Sequence, residues 1–302
     1  MPDQPPRPTP PALNFCRRMG RRGLGWLRWL AWRLGGAAVL YGALLALLWW
    51  GQEKLLFVPQ VLAADHRFLV DADVHETWVE VPGARLNALH LRLPRPDGVV
   101  FFLHGNAGSL DNWFVDAEFY RQANMDLFMI DFRGYGKSGG RIQSEAQLLA
   151  DVRAAWDSIS ARYEGTKRVI YGRSLGSGLA ALLSAELSTE LSTELSTRAQ
   201  PELTVLVSPY FSMQALAGEH YPWVPTSLLR YPLRTDLALK QIRGRVWIAH
   251  GERDSLIPPS HARRLHALKP GSTLLLLPQS GHNDVQESPA YLSALAAELK
   301  AR

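Results

Sequence analysis

Near its N-terminus the chain runs for 19 residues, Leu34–Gln52, without a charged side chain. At about 1.5 Å per residue, a helix over this run comes close to the roughly 30 Å hydrocarbon layer of a bilayer. Tryptophans, which favour membrane interfaces, occur before the run and at its end: Trp26, Trp29, Trp32, Trp49 and Trp50. The pattern predicts one transmembrane helix that anchors the chain.

Charge is distributed unevenly about this run. Residues 1–52 carry a net charge of +6, from seven arginines and one aspartate, which leaves −1 for the remaining 250 residues. Because basic residues stay on the cytoplasmic side of a membrane, we expect a cytoplasmic N-terminus and an exported body, in the periplasm if the organism is bacterial. The near-neutral body lacks the basic face that nucleic-acid binding needs, so no nucleic-acid partner is expected.

Two other interpretations of the apolar run fit its flanks less well. An apolar helix buried in a soluble core rarely follows an arginine-rich segment. A cleavable signal peptide has a shorter apolar run that ends in small residues, whereas this one ends in Trp-Trp-Gly-Gln. We therefore predict a Pro/Arg-rich cytoplasmic tail (1–33), a transmembrane anchor (34–52) and a folded domain (53–302). The single cysteine, Cys16, excludes an intramolecular disulfide.

Beyond the anchor, short apolar runs alternate with helical patterns. Two mixed runs, 75–81 and 85–93, are joined at Pro82-Gly83 and predict an antiparallel hairpin. Apolar runs that suit buried strands are 99–103, 127–130, 169–171, 205–207, 246–249 and 274–277. Helical segments lie around 111–123, 145–162, 177–196, 259–268 and 288–301. The alternation predicts an α/β fold, a mostly parallel sheet flanked by helices, with its functional site at the carboxyl ends of the strands.

The motif G-x-S-x-G, which marks the sharp turn of a nucleophilic serine, occurs twice. In the copy centred on Ser138, two glycines follow the serine and disfavour a helix, so we expect a loop residue there. The copy centred on Ser174 follows a predicted strand and opens a predicted helix. Strand, turn and helix are the context that a nucleophile needs, and we predict Ser174 as the nucleophile.

An acid and a histidine should follow the serine in that order. Asp254 comes shortly after a predicted strand and is the expected acid, with Glu252 as the alternative. His282 follows the last predicted strand in a Gly-containing loop and is the expected base. His261 and His266 lie on a predicted helix with two arginines and are expected at the surface.

The segment His104–Gly108 (HGNAG) follows another predicted strand and can supply backbone N–H groups to an oxyanion. We expect one donor at Leu175, the residue after the predicted nucleophile, and the other at Asn106 or Ala107. The sequence holds no H-E-x-x-H pattern, no Cys/His group with zinc spacing and no complete P-loop. No metal and no other cofactor is therefore implied.

Taken together, these motifs resemble the alpha/beta-hydrolase superfamily, and within it the single-pass, membrane-anchored alpha/beta-hydrolase-domain serine hydrolases. The shared segments are QEKLLFVP (52–59), HGNAG (104–108), DFRGYGKSGG (131–140), GRSLGSG (172–178), HGERDSLIP (250–258) and SGHND (280–284). The resemblance covers the chain from about residue 52 onward and implies the alpha/beta-hydrolase fold. It also implies a triad of Ser174, Asp254 and His282, with backbone donors at Asn106 and Leu175.

The expected activity is hydrolysis of carboxylic esters or thioesters through an acyl-enzyme, on a small-molecule or lipid substrate. Residues 210–236, rich in aromatics and proline, take the place of a lid and are expected to leave an open site. The three ELST copies at 186–197 are expected to be a tolerated surface duplication. A serine peptidase, an acyltransferase and a non-enzymatic membrane protein on a hydrolase fold remain as alternatives. The sequence does not specify an oligomeric state.

Overall fold

The computed structural model describes residues 13–189 and 200–301, with side chains from Gly25 onward. The chain divides into two compact units, Met1–Gly51 and Gln52–Arg302. The first part of the predicted tail and the ELST copies at 190–197 lie outside the described residues.

Helix α1 spans Leu13–Leu56. Its stretch Gly25–Leu56 is long and apolar enough to cross a membrane. Large apolar side chains of this stretch are exposed, among them Trp32 and Trp50. An apolar helix whose side chains face outward is suited to a lipid surrounding, and this agrees with the predicted anchor.

An eight-stranded sheet forms the centre of the second unit. Its strands are β2 (Val74–Val81), β3 (Ala84–Leu91), β4 (Gly98–Leu103), β6 (Met125–Ile130), β7 (Lys167–Arg173), β8 (Leu203–Val207), β9 (Arg245–Gly251) and β10 (Thr273–Leu277). They lie in the order β10-β9-β8-β7-β4-β6-β3-β2. Strand β3 runs antiparallel to both of its neighbours, and the other pairings are parallel. Two short strands, β1 (Val58–Pro59) and β5 (Ala107–Gly108), pair with each other in a separate parallel sheet.

The helices of the second unit cover both faces of the sheet. In chain order they are α2 (Leu110–Trp113), α3 (Ala117–Gln122), α4 (Glu145–Ser160), α5 (Leu175–Thr189), α6 (Met213–His220), α7 (Thr235–Gln241), α8 (Ser260–Leu268) and α9 (Pro289–Lys300). Buried side chains of α4, α5, α7 and α8 share one hydrophobic core. Those of α3 and α9 belong to a second core. The predicted mostly parallel sheet flanked by helices is therefore confirmed.

Burial on both faces explains why the sequence of the central strand β4 is apolar throughout. Successive side chains of a strand point to opposite faces, and here Val99, Phe101 and Leu103 enter one core. Val100 and Phe102 enter the other. Because both faces are covered, every residue of β4 is buried. Apolar side chains therefore fill both faces of β4.

Two expectations differ from the structure. The single helix expected around 111–123 is two short helices, α2 and α3, because the backbone leaves the helical region at Phe114, where ψ is 58°. The expectation that His261 lies at the surface is wrong, since its side chain is fully buried. His261 shares the buried face of α8 with Ala262 and Leu265, and its Nδ1 accepts a hydrogen bond from the Phe211 N–H.

A buried ion pair gives a stability prediction. Asp151 on α4 accepts hydrogen bonds from two nitrogens of Arg133, and both side chains are buried. We expect Asp151→Asn to lower the free energy of unfolding by about 3 kcal/mol, because it leaves the guanidinium buried without its counter-charge. Urea denaturation of the detergent-solubilised protein measures this loss.

Asp157→Asn is the matched control on the same helix. Its carboxylate pairs with Arg153 at 2.9 Å but is 49% exposed. Exposed pairs four residues apart on a helix contribute only about 0.3–0.5 kcal/mol. Equal losses for the two variants would show that burial of the Asp151 pair does not matter for stability.

Candidate active site

Ser174 occupies a sharp turn between β7 and α5. Its φ is 51°, in the left-handed region that non-glycine residues rarely adopt. The turn is closely packed, because a Cβ at Gly172 would lie 2.1 Å from the Gly176 carbonyl oxygen. A Cβ at Gly176 would lie 2.0 Å from the Leu103 carbonyl oxygen. Side chains are excluded at both glycines, as a nucleophile elbow requires.

The three residues predicted from separate strand ends meet at this turn. His282 Nε2 lies 3.1 Å from Ser174 Oγ. His282 Nδ1 lies 2.7 Å from Asp254 Oδ2. The imidazole can therefore donate from Nδ1 to the carboxylate and accept the serine proton at Nε2, which is the arrangement that general-base catalysis needs.

The environment of Asp254 keeps this carboxyl ionised. Burial by itself raises the pKa of Asp254, but hydrogen bonds with His250, His282 and the Ile257 N–H outweigh it and hold the pKa well below its usual value. Its Oδ1 accepts from the Leu256 and Ile257 N–H groups. An ionised, fixed Asp254 favours the His282 tautomer with the proton on Nδ1.

The alternative residues lie elsewhere. The Glu252 carboxylate pairs with Arg263 on α8, at 2.5 Å. Ser138, in the second G-x-S-x-G copy, donates from Oγ to the Asp131 carbonyl oxygen at 2.7 Å. It also accepts from the Asn87 N–H at 2.8 Å. The Ser138 hydroxyl is thus engaged in holding its own loop.

The HGNAG loop lies beside Ser174. A Cβ at Gly105 would be 3.7 Å from Ser174 Cβ. Leu175 is the first residue of α5, where a backbone N–H has no partner within the helix. Among the described residues, no backbone oxygen accepts from the Asn106 N–H. Both predicted donors are therefore available, and their role towards an oxyanion stays a prediction.

Arg173, next to Ser174, has a role that motif reasoning missed. Its guanidinium donates to the carbonyl oxygens of His282, at 3.1 Å, and Asn283, at 2.9 Å. It also donates to Gln286 Oε1 at 2.6 Å and lies over the Trp113 ring, 5.1 Å from its centroid. Arg173 thus fixes the loop that carries His282. A charged side chain directly before a serine on a buried strand was the available signal, since such a charge needs partners.

The insert between β8 and α7 contacts Gln52 and Glu53, near the end of α1. Gln52 Nε2 donates to the Leu228 carbonyl oxygen at 2.8 Å. The Arg230 N–H donates to Gln52 Oε1, also at 2.8 Å. The Tyr231 hydroxyl donates to Glu53 Oε1 at the same distance. This insert, residues 208–234, is therefore attached to the last turn of α1.

Within the part of the chain that the structure describes, no group of three or more His, Cys, Asp or Glu side chains is placed to hold a metal ion.

Part of the chain is similar to a known protein family. Residues 94–234 match the family model described as "Serine aminopeptidase, S33". An "Alpha/beta hydrolase domain-containing protein WAV2" of Arabidopsis thaliana is 25% identical over 284 residues, which cover 84% of this chain and 88% of the relative. The chain is thus similar to an alpha/beta-hydrolase-domain protein over most of its length. An uncharacterised protein of Mycobacterium tuberculosis is 27% identical over 258 residues, covering 82% of this chain and 86% of that protein.

Solved alpha/beta hydrolases share the fold. An esterase of Pyrococcus furiosus matches with a TM-score of 0.60 and 17% identity, over 81% of this chain and 98% of that one. A "Thioesterase Domain From Curacin Biosynthetic Pathway" matches with a TM-score of 0.54 and 14% identity, over 76% of this chain and 99% of that one. At these identities the likeness concerns the fold, and the predicted alpha/beta-hydrolase fold is confirmed.

The Arg173 contacts give a testable expectation. Arg173→Met removes the donors to the two loop carbonyls, and we expect kcat to fall about 10- to 100-fold because His282 is no longer held in position. The kcat of Arg173→Lys should lie between that of Arg173→Met and that of the wild type. Its ammonium group keeps the charge but lacks the planar arrangement of donors that a guanidinium has. Steady-state ester hydrolysis, with kcat and KM determined separately, measures the effect.

Arg168→Met is the matched control. Arg168 is also a buried arginine of β7, but it lies near the opposite end of the strand from Ser174. Removing it deletes the same charge, and we expect the wild-type kcat. Equal kcat values for Arg168→Met and Arg173→Met would contradict the positioning role of Arg173.

Proposed function

We propose that this alpha/beta hydrolase is a membrane-anchored serine hydrolase that cleaves carboxylic ester or thioester bonds through an acyl-enzyme on Ser174. The observation that carries the proposal is the hydrogen-bonded chain from Ser174 through His282 to Asp254. These three residues lie at the carboxyl ends of parallel strands, where α/β folds bind their ligands.

Acylation begins when Ser174 Oγ attacks the substrate carbonyl carbon while His282 Nε2 takes the serine proton. The carbonyl oxygen becomes an oxyanion, which the N–H groups of Leu175 and Asn106 stabilise. His282 then gives its proton to the leaving alcohol or thiol as the tetrahedral intermediate collapses. The acyl group remains on Ser174 Oγ as an ester.

Deacylation repeats the sequence with water. His282 takes a proton from the water molecule, and the resulting hydroxide attacks the acyl carbon. Collapse of the second tetrahedral intermediate returns the proton to Ser174 Oγ and releases the carboxylic acid. Asp254 stays ionised throughout and stabilises the imidazolium that forms in each step.

The insert supports an apolar substrate. Tyr221 and Trp223 are 56% and 50% exposed, and their rings meet edge to face with centroids 6.5 Å apart. Exposed aromatic side chains of this size are suited to contact an acyl chain or a lipid. We propose a lipid or other acylated molecule as the substrate.

A serine peptidase is the second candidate, because the matching family model is described as a serine aminopeptidase. The same serine, histidine and aspartate can attack an amide carbonyl. Amino-acid p-nitroanilides distinguish the two candidates: hydrolysis of anilides without hydrolysis of p-nitrophenyl esters would favour the peptidase.

The serine mechanism is tested with Ser174→Ala. We expect the wild type to react with a fluorophosphonate probe and to hydrolyse p-nitrophenyl esters. In the variant, labelling should vanish and kcat should fall by about 10⁴-fold or more, because the nucleophile is gone. In-gel fluorescence and a series of esters of increasing chain length measure both effects, and the optimal length reports the size of the acyl pocket.

Ser138→Ala is the control, since it removes the serine of the second G-x-S-x-G copy. We expect it to keep its labelling and turnover while losing about 1–2 kcal/mol of stability with the hydroxyl's two hydrogen bonds. Labelling that depends on Ser138 instead of Ser174, or a folded wild type without labelling and turnover, would contradict the proposal.

Topology can be tested with the single cysteine. We propose that the N-terminus is cytoplasmic and the hydrolase domain exported, because the arginines precede the apolar run. In spheroplasts of a bacterial expression host, a membrane-impermeant maleimide should label Cys16 only after lysis. With Cys16→Ser and the exposed Ser158→Cys combined, it should label before lysis. The opposite labelling pattern would show that the N-terminus is exported and the hydrolase domain cytoplasmic.

A further inference from the structure

The short strand β1, which is separated from α1 by Phe57 alone, is hydrogen-bonded to the HGNAG loop. The Val58 N–H donates to the Asn106 carbonyl oxygen at 2.8 Å, and the Gln60 N–H donates to the Gly108 carbonyl oxygen at 2.9 Å. The Val58 side chain is half exposed, so its attachment to the loop is made by the backbone. Phe57, just before it, is buried with its ring 5.1 Å from that of Tyr231.

The Asn106 carbonyl oxygen is held by two donors. Besides the Val58 N–H, the Tyr135 hydroxyl donates to it at 2.7 Å. Tyr135 is fully buried, so its ring cannot move away easily. The peptide that follows Asn106 is thus fixed by two groups from outside the loop.

The peptide that precedes Asn106 is fixed as well. His104 Nδ1 lies 2.7 Å from the Gly105 carbonyl oxygen and can donate to it. In a trans peptide the N–H points away from the C=O, and no cis peptide occurs among the described residues. The bond from His104 therefore sets the direction of the Asn106 N–H. The bonds from Val58 and Tyr135 stop rotation about the Asn106 backbone, which would turn that N–H away.

We propose that β1 is a positioning element of the active site, which holds the Asn106 N–H in the direction an oxyanion needs. This inference rests on the proposed function and extends it, because it makes the residues directly after the membrane helix part of the catalytic apparatus. Preorganised donors contribute to catalysis only if they do not have to reorient during the reaction. Loss of a Val58 or Tyr135 bond should therefore lower the rate and leave substrate binding unchanged.

The test is Val58→Pro, which removes the N–H group that donates to the Asn106 carbonyl oxygen. Val58 precedes Pro59 and is already restricted to extended conformations, a region that proline also adopts. We expect kcat to fall about 10-fold with KM unchanged, a fraction of the roughly 10²- to 10³-fold loss that removal of a whole oxyanion donor causes. Affinity for a trifluoromethyl ketone, whose hemiketal oxygen takes the oxyanion position, should fall by the same factor.

Val61→Pro is the matched control. Val61 has an exposed side chain in the same segment, and among the described residues no backbone oxygen accepts from its N–H. We expect it to keep the wild-type kcat and ketone affinity. Both proline variants should show similar thermal unfolding, so that a general loss of stability is separated from a loss of positioning.

Tyr135→Phe supplies a second, independent variant, and it decides the question if Val58→Pro does not fold. It removes the other donor to the Asn106 carbonyl and keeps the buried ring, and we expect the same fall in kcat and ketone affinity. If the wild type is active and Val58→Pro or Tyr135→Phe keeps its kcat, the inference is overturned while the proposed function stands. A folded wild type without turnover would overturn the proposed function and the inference with it.

Discussion

The close backbone contact between the start of α5 and the end of β4 is the constraint on which the site depends. With no side chain at Gly176, the helix begins against the Leu103 carbonyl oxygen, and this contact brings the Ser174 turn beside the loop that follows β4. The two segments come from neighbouring parallel strands, so their carboxyl ends already share one edge of the sheet. A Cβ at Gly176 would separate Ser174 from the predicted oxyanion donor.

The loops at this edge are fixed by hydrogen bonds from groups that take no part in the proposed reaction. Strand ends leave backbone groups without partners in the sheet, and buried groups of this kind must find partners elsewhere. Arg173 supplies donors to the His282 loop, and Tyr135 supplies one to the HGNAG loop. His250 lies 3.3 Å from the Asp254 carboxylate. Each of these loops is fixed because it is bonded to a buried side chain.

Much of the fold follows from local patterns. The alternation of apolar runs and helices predicted the parallel sheet, and the Pro82-Gly83 turn predicted the hairpin of β2 and β3, because these depend on residues that are close in sequence. The burial of His261 was missed, since the insert that supplies the Phe211 N–H to it is distant in sequence. The β1–β5 pairing was missed because two-residue strands have no periodicity that a pattern could reveal.

The sequence by itself determined the apolar helix, the class of the fold and the candidate serine, acid and histidine, because each is carried by a short motif whose residue types the chemistry requires. The tertiary structure alone decided that Asp254 and not Glu252 lies against His282. It also decided that Arg173 holds the histidine loop and that β1 holds the Asn106 carbonyl. These backbone contacts of Arg173 and β1 join segments up to 110 residues apart in sequence. Their partners are backbone carbonyls, which every residue possesses, so no residue type marks them before the chain has folded.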